Sequence, residues 1–125
     1  MEPCIKLWIE RNGRLALSDY RVRLLAHVHE TGSLAQAAAR MRLSYRRAWG
    51  KIKEIEQNLG MALVISEAGG VGGGHTRLTP EGERLVALYH EFQARMHRAL
   101  AREFAAVFGD IDRDGAPTER SRDST

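Results

Sequence analysis

Cysteine is nearly absent from this chain: Cys4 stands alone, so no intramolecular disulfide can hold the fold. Long apolar runs are missing as well. The opening residues MEPCIKLWIERNG hold no basic region followed by an apolar stretch, so no signal peptide is expected. No stretch approaches the length of a membrane span, so no membrane partner is expected and a cytoplasmic location is. Net charge is also scarce. Nineteen Lys and Arg face sixteen Asp and Glu, a balance of +3 that by itself argues for no polyanionic partner. Catalytic patterns are lacking: Cys4 sits beside no recognisable base, and no nucleophile or paired-carboxylate motif stands out, so no enzyme is expected. The histidines do not cluster. His27 and His29 are two apart on a helical stretch and point to different sides. His90 and His97 share a face without nearby partners in sequence, so no metal site and no cofactor are expected.

What the chain does have is hydrophobic residues at 43%, enough for one modest core in a single domain or a domain with an extension. Its positive charge is concentrated. Residues 32–80 carry seven basic side chains (Arg40, Arg42, Arg46, Arg47, Lys51, Lys53, Arg77) against three acidic ones (Glu54, Glu56, Glu67). That favours a polyanion there. IKLWIE (5–10) alternates apolar and polar residues and ends in RNG, a strand and turn with LALS (15–18) as hairpin partner. Ser18 then caps a helix whose apolar positions are Tyr20, Val22, Leu24, Leu25 and Val28, ending at Thr31-Gly32. SLAQAAARM (33–41) opens with a capping-box pattern, Ser33 and Gln36, and its alanines permit close helix approach. MRLS breaks it. Ser44 caps the next helix, with Ala48, Ile52, Ile55 and Leu59 as a buried stripe and Gly60 as its end. ALVIS (62–66) and TRL (76–78) read as strands around the glycine-rich EAGGVGGGH. Thr79-Pro80 begins a long helix to Phe108, and the polar tail from 109 to 125 is expected to be disordered.

Helix, alanine-rich helix, tight turn, basic helix and hairpin follow the winged helix-turn-helix order. The second helix of such a pair places its first turns in the major groove. Those turns offer Ser44, Tyr45, Arg46, Arg47, Gly50 and Lys51. Arginine suits two-pronged contact with guanine, and lysine and serine suit phosphates. Gly50, costly inside a helix, would allow closer backbone approach to DNA or to a neighbouring helix. Trp49 is assigned to packing rather than to stacking on a base. GGVGGGHT (69–76) matches a phosphate-loop spacing, but His75 replaces the lysine and the helix starts too late to cradle phosphate. A wing lying along DNA explains it better. DIDRDG (110–115) is the first half of a calcium loop without the closing glutamate, and a solvated acidic tail is the preferred reading.

The stretches GSLAQAAARMRLSYRRAWGKIKEIEQNLGMALV and GGVGGGHTRLTPEGERLVALY resemble the N-terminal DNA-binding domain of the molybdate-responsive ModE regulators, relatives of the LysR-type winged-helix domain. The SY-x-x-AW start of the recognition helix, the glycine-rich wing and the LT-x-x-G entry to the long helix carry the match, which covers about residues 5–108. The resemblance implies a mainly α fold with a small β-hairpin wing, a DNA-binding domain over 1–79 and a dimerisation helix over 80–108. It implies a homodimer on double-stranded DNA, associated with the bacterial nucleoid. Its DNA-facing set is Ser33, Ser44, Tyr45, Arg46, Arg47, Gly50 and Lys51 from the helices, with Gly72, Gly73, Gly74, His75 and Arg77 from the wing. Leu85, Leu88, Phe92, Met96, Leu100, Phe104 and Val107 form the apolar stripe of the pairing helix. Full-length relatives carry C-terminal oxyanion-binding domains; these 125 residues end soon after the long helix, so molybdate sensing is not expected within them. The expected function is a homodimeric transcriptional regulator of molybdenum-related genes. The alternative is a small interaction protein whose long helix binds a separate sensor or regulator.

Overall fold

The chain was analysed as a computed structural model, which describes residues 1–67 and 75–115, with side chains as far as Ile111. Strands β1 (Trp8–Arg11) and β2 (Arg14–Ser18) form an antiparallel hairpin. Its two turn residues, Asn12 and Gly13, both adopt positive φ (54° and 76°). That is the turn whose twist matches a right-handed β-ribbon. The register shifts between Ile9 and Glu10, which puts Ala16 in a bulge of β2. The bulge lets consecutive residues Ala16 and Leu17 both bury, where a regular strand would turn one outward.

Four helices follow, with a second hairpin between the last two. Helix α1 (Asp19–Thr31) begins where Ser18 Oγ accepts from the Arg21 N–H and ends at left-handed Gly32. Helix α2 (Leu34–Arg40) starts at Ser33, whose Oγ accepts from the Gln36 N–H. Only half of the expected capping box forms: the Ser33 N–H goes to Thr31 Oγ1, 3.2 Å away. Helix α3 (Tyr45–Leu59) is capped by Ser44 and closed by Gly60 at φ 70°. Strands β3 (Val64–Glu67) and β4 (His75–Leu78) pair antiparallel, and helix α4 runs Pro80–Gly115.

By internal contacts the chain divides into Leu7–His90 and a second unit made of Met1–Lys6 with Glu91 onward. In the first unit, Val22, Leu24, Leu25 and Val28 of α1 meet Leu34, Ala37 and Ala38 of α2 and Ala48, Ile52 and Ile55 of α3. The small side chains Ala37, Ala38 and Ala48 are fully covered, which is the close approach the alanine run implied. Leu63, Val64, Leu78 and Tyr89 complete the core, and Leu85 and Val86 pack against it. Leu85 thus adds to the core of its own domain as well as to the stripe of α4. Tyr89 donates to the Leu7 carbonyl at 3.0 Å. Burial, with the Asp19 charge beside it, pushes its phenol above the ordinary range, so it stays a neutral donor.

The entry to α4 rests on a short polar lock. The Thr79 N–H bonds the Leu63 carbonyl, Thr79 Oγ1 donates to the Ala62 carbonyl at 2.8 Å, and the same oxygen accepts from the Gly82 N–H at 2.9 Å. A Cβ on Gly82 would collide with the Leu63 carbonyl. The LT-x-x-G signature is therefore a cap followed by a close crossing. In the second unit, α4 continues past Phe108, where the sequence suggested a disordered tail from 109. Ile111 lies three and seven residues beyond Phe108 and Phe104, so it extends the apolar spacing and the helix with it. DIDRDG is helical, not a cation-binding loop. Residues 116–125 lie outside the described residues.

Candidate nucleic-acid interface

Helix α3 buries Ala48, Ile52 and Ile55 along one side. At 100° per residue, the opposite side carries Arg46 and Gly50, and the flank toward α1 carries Arg47 and Lys51. Tyr45 is 56% exposed, and Arg46, Arg47 and Gly50 are exposed too. A Cβ on Gly50 would meet nothing, so this glycine serves no neighbouring helix. It leaves the outer face of α3 low at its centre, one turn after Arg46. Ser44 Oγ is engaged with the Arg47 N–H at 3.1 Å, which fixes where the helix starts.

Lys51 is partly buried, with its ammonium 5.4 Å from the centre of the Tyr20 ring. Arg23 lies over the same ring at 5.8 Å. Tyr20 was read from the sequence as a core position of α1. Its ring instead gathers two cations from two helices, by an attraction that needs the aromatic face. Nothing in the sequence spacing signals that pairing. Trp49 is half-buried against the core, as expected, and its ring carries Lys53 at 4.4 Å.

The acidic residues of α3 are all committed elsewhere. Glu54 pairs with Arg21 at 2.8 Å, and Arg21 also donates to the Leu15 carbonyl. Arg21 is only 7% exposed, so this charge ties α1, β2 and α3 together rather than facing solvent. Burial pushes the Glu56 carboxyl up, but the Leu63 N–H at 2.7 Å, the Lys53 ammonium at 3.0 Å and the Val64 N–H outweigh it and hold the group below the usual carboxylate range. Glu56 thereby fastens the start of β3 to α3. The result is an outward face of α3 whose first two turns hold cations and no carboxylate.

In the wing, His75 and Arg77 are exposed on β4, and Arg77 pairs with Glu67 at 3.4 Å. Gly72, Gly73 and Gly74 lie outside the described residues. Thr76, the hydroxyl of the phosphate-loop spacing, is buried, and its N–H bonds the Gly32 carbonyl at 3.1 Å. With α4 starting only at Pro80, that geometry does not cradle a nucleotide. Ser33 is half-buried at the start of α2. On α4, Leu88 is 47% and Val107 72% exposed, Phe92 is exposed, and Met96, Leu100 and Phe104 are partly covered. Phe104 stacks on Phe108 at 5.2 Å. Among the described residues no helix is long and apolar enough to cross a membrane, and no group of three metal-ligating side chains occurs.

A three-helix core in which α2 and α3 meet across a tight turn, followed by a two-stranded hairpin, defines a winged helix-turn-helix domain. The model for bacterial regulatory helix-turn-helix proteins of the lysR family matches residues 20–83, and the chain belongs to that family. It is 40% identical over 100 residues to the molybdenum transport protein ModE of Azotobacter vinelandii, covering 77% of this chain and 37% of that protein. It is 37% identical over 89 residues to the DNA-binding transcriptional dual regulator ModE of Escherichia coli (strain K12), covering 71% of this chain and 34% of that protein. The chain thus spans about a third of the length of these curated relatives. Among solved structures, the CbnR DBD–DNA complex superposes with a TM-score of 0.54 at 22% identity, over 72% of this chain and 98% of that one, a likeness of fold.

Proposed function

We infer that this chain is a sequence-specific DNA-binding transcriptional regulator acting as a homodimer on molybdenum-related genes. One observation carries the reading. The outward face of α3 presents Tyr45, Arg46, Gly50 and the flanking Arg47 and Lys51, while Glu54 and Glu56 are both held in structural bonds. A cationic helix face with a low centre suits the major groove, where arginine reads base edges and lysine meets phosphate. His75, Arg77 and the wing glycines Gly72, Gly73 and Gly74 extend the contact along the backbone, and Ser33 offers a further one from the start of α2. The long helix supports pairing: its Leu88, Phe92 and Val107 would stay in water in a lone chain. Two recognition helices related by a two-fold axis call for a roughly palindromic operator with half-sites about 34 Å apart or a multiple of it. Such a regulator works in the cytoplasm, on the nucleoid. The molybdenum connection rests on the ModE relatives.

The test is retardation of genomic fragments by the full chain at low and moderate salt. A subset of fragments retained against excess competitor DNA is the expected outcome. No retardation even at low salt sinks the reading and favours a protein whose long helix binds another regulator.

A further inference from the structure

We propose that Arg42, in the turn between α2 and α3, contacts the DNA phosphate backbone and occupies a glycine position for that purpose. The inference rests on the DNA-binding reading above and adds a residue outside its recognition set. The turn has a specific hydrogen-bond pattern. The Leu43 N–H returns to the Ala38 carbonyl at 2.9 Å, and the Arg42 N–H goes to the Ala39 carbonyl at 3.1 Å. This pair of bonds closes a helix through one residue in the left-handed region, ordinarily glycine. Arg42 takes that position at φ 57°. Both other helix ends in the domain that need it use glycine: Gly32 closes α1 at 68° and Gly60 closes α3 at 70°. Arginine in left-handed backbone crowds its Cβ against the peptide, a cost glycine avoids. Its side chain is exposed and adds nothing to the core that would offset the crowding.

Charge placement supplies the other half of the argument. Arg40 is held by Glu30 at 2.7 Å, Lys53 by Glu56 at 3.0 Å and Arg77 by Glu67 at 3.4 Å, while Lys51 lies over Tyr20. Of the seven basic side chains between residues 32 and 80, that leaves Arg42, Arg46 and Arg47 with no ion pair among the described residues. All three sit within three residues of Ser44. Arg46 and Arg47 belong to the helix that enters the groove. Arg42 precedes its cap, where the chain approaches the groove edge and a phosphate is the chemistry within reach. A residue kept against local backbone preference next to a binding surface is strain held for function.

The experiment compares the full chain with Arg42→Gly, Arg42→Asn and Arg42→Lys, using urea unfolding and titration of a fluorescent mixed-sequence duplex of about 40 base pairs. Glycine relieves the backbone, so Arg42→Gly should raise the urea midpoint while weakening binding. One lost phosphate contact lowers the salt slope by about 0.9, which at 0.1 M salt is about an eightfold loss of affinity. Arg42→Asn, which also tolerates the left-handed region, should lose the same slope. Arg42→Lys keeps the charge and should keep the slope. An unchanged salt slope in Arg42→Gly and Arg42→Asn overturns the proposal, as does an affinity loss that is equal at every salt concentration. A lower urea midpoint in Arg42→Gly overturns the claim that the position belongs to glycine. If the unaltered chain fails to bind the duplex at all, the DNA reading itself falls and the Arg42 contact falls with it.

Discussion

Two glycines on helices, Gly50 and Gly82, should respond to alanine in opposite directions. Both are helical, so alanine brings a propensity gain of about 1 kcal/mol at Gly50 and at most that at Gly82, which lies in the first turn of α4. At Gly50 nothing opposes the gain, because a Cβ there meets no atom. At Gly82 the new methyl meets the Leu63 carbonyl and crowds the Leu78 Cβ. Overpacking typically costs about 1–3 kcal/mol, and here the obstacle is backbone already tied to the Thr79 N–H, which cannot rotate aside. Gly82→Ala should therefore be less stable than Gly50→Ala by about 1–3 kcal/mol. In a domain of this size each kcal/mol moves Tm by about 4–8 °C. Urea and thermal unfolding of both variants at one fixed protein concentration gives the comparison, since pairing of chains would make stability concentration-dependent. Equal midpoints for the two variants would refute the close crossing of α4 over Leu63. A stable Gly50→Ala that also binds DNA less well would show that the low centre of α3 serves approach to the groove.

Arg47→Ala should weaken a specific site more than random DNA, by about 1–3 kcal/mol for a two-pronged base contact; equal losses on both DNAs would make it a phosphate contact. Lys51→Ala should flatten the salt dependence, and Tyr20→Leu should do so in part while Tyr20→Phe does not, because only an aromatic face holds the cation. Equal salt slopes for the leucine and phenylalanine variants would count against that positioning. Glu56→Ala leaves the Leu63 and Val64 N–H groups without their carboxylate and should cost about 1–3 kcal/mol. Because the folded chain holds this carboxyl below its ordinary pKa, its contribution is present above the ordinary carboxylate range and is lost as pH falls through the folded value. A pH–stability curve of Glu56→Gln should therefore be flatter than the parent's in mild acid; coincident slopes would refute the role. Leu88→Glu with Phe92→Glu should shift sedimentation toward a monomer, and an unchanged mass at micromolar concentration would remove the pairing helix from the account.

Much of this architecture is legible in local chemistry. Ser18, Ser33, Ser44 and Thr79 each announce a helix, because a short hydroxyl beside an apolar period has one common use, and each hydroxyl accepts the expected backbone N–H. The stripe Ala48, Ile52, Ile55 follows from period alone. Long-range roles are not legible. Arg21 looks like a surface charge until β2 and α3 bring the Leu15 carbonyl and Glu54 to it. Glu56 is one acid among several in sequence, and only the fold brings Leu63 and Val64 back to it. Tyr20 scores as apolar by spacing, yet its neighbours across the interface are cations. The extension of α4 beyond Phe108 was hidden by composition: Gly109 and the acidic residues masked the continued spacing to Ile111. The bulge at Ala16 and the left-handed turn at Arg42 are backbone events that residue type does not announce.

Genome-wide mapping of DNA bound by the full chain tests the central claim most directly, because it reads binding, symmetry and the molybdenum connection together. The account calls for discrete bound sites with roughly palindromic sequence, near genes of molybdenum uptake or use, and for their loss when Arg46 and Arg47 are replaced by alanine. Bound DNA no different from an untagged control, or sites that survive that double replacement, would contradict it.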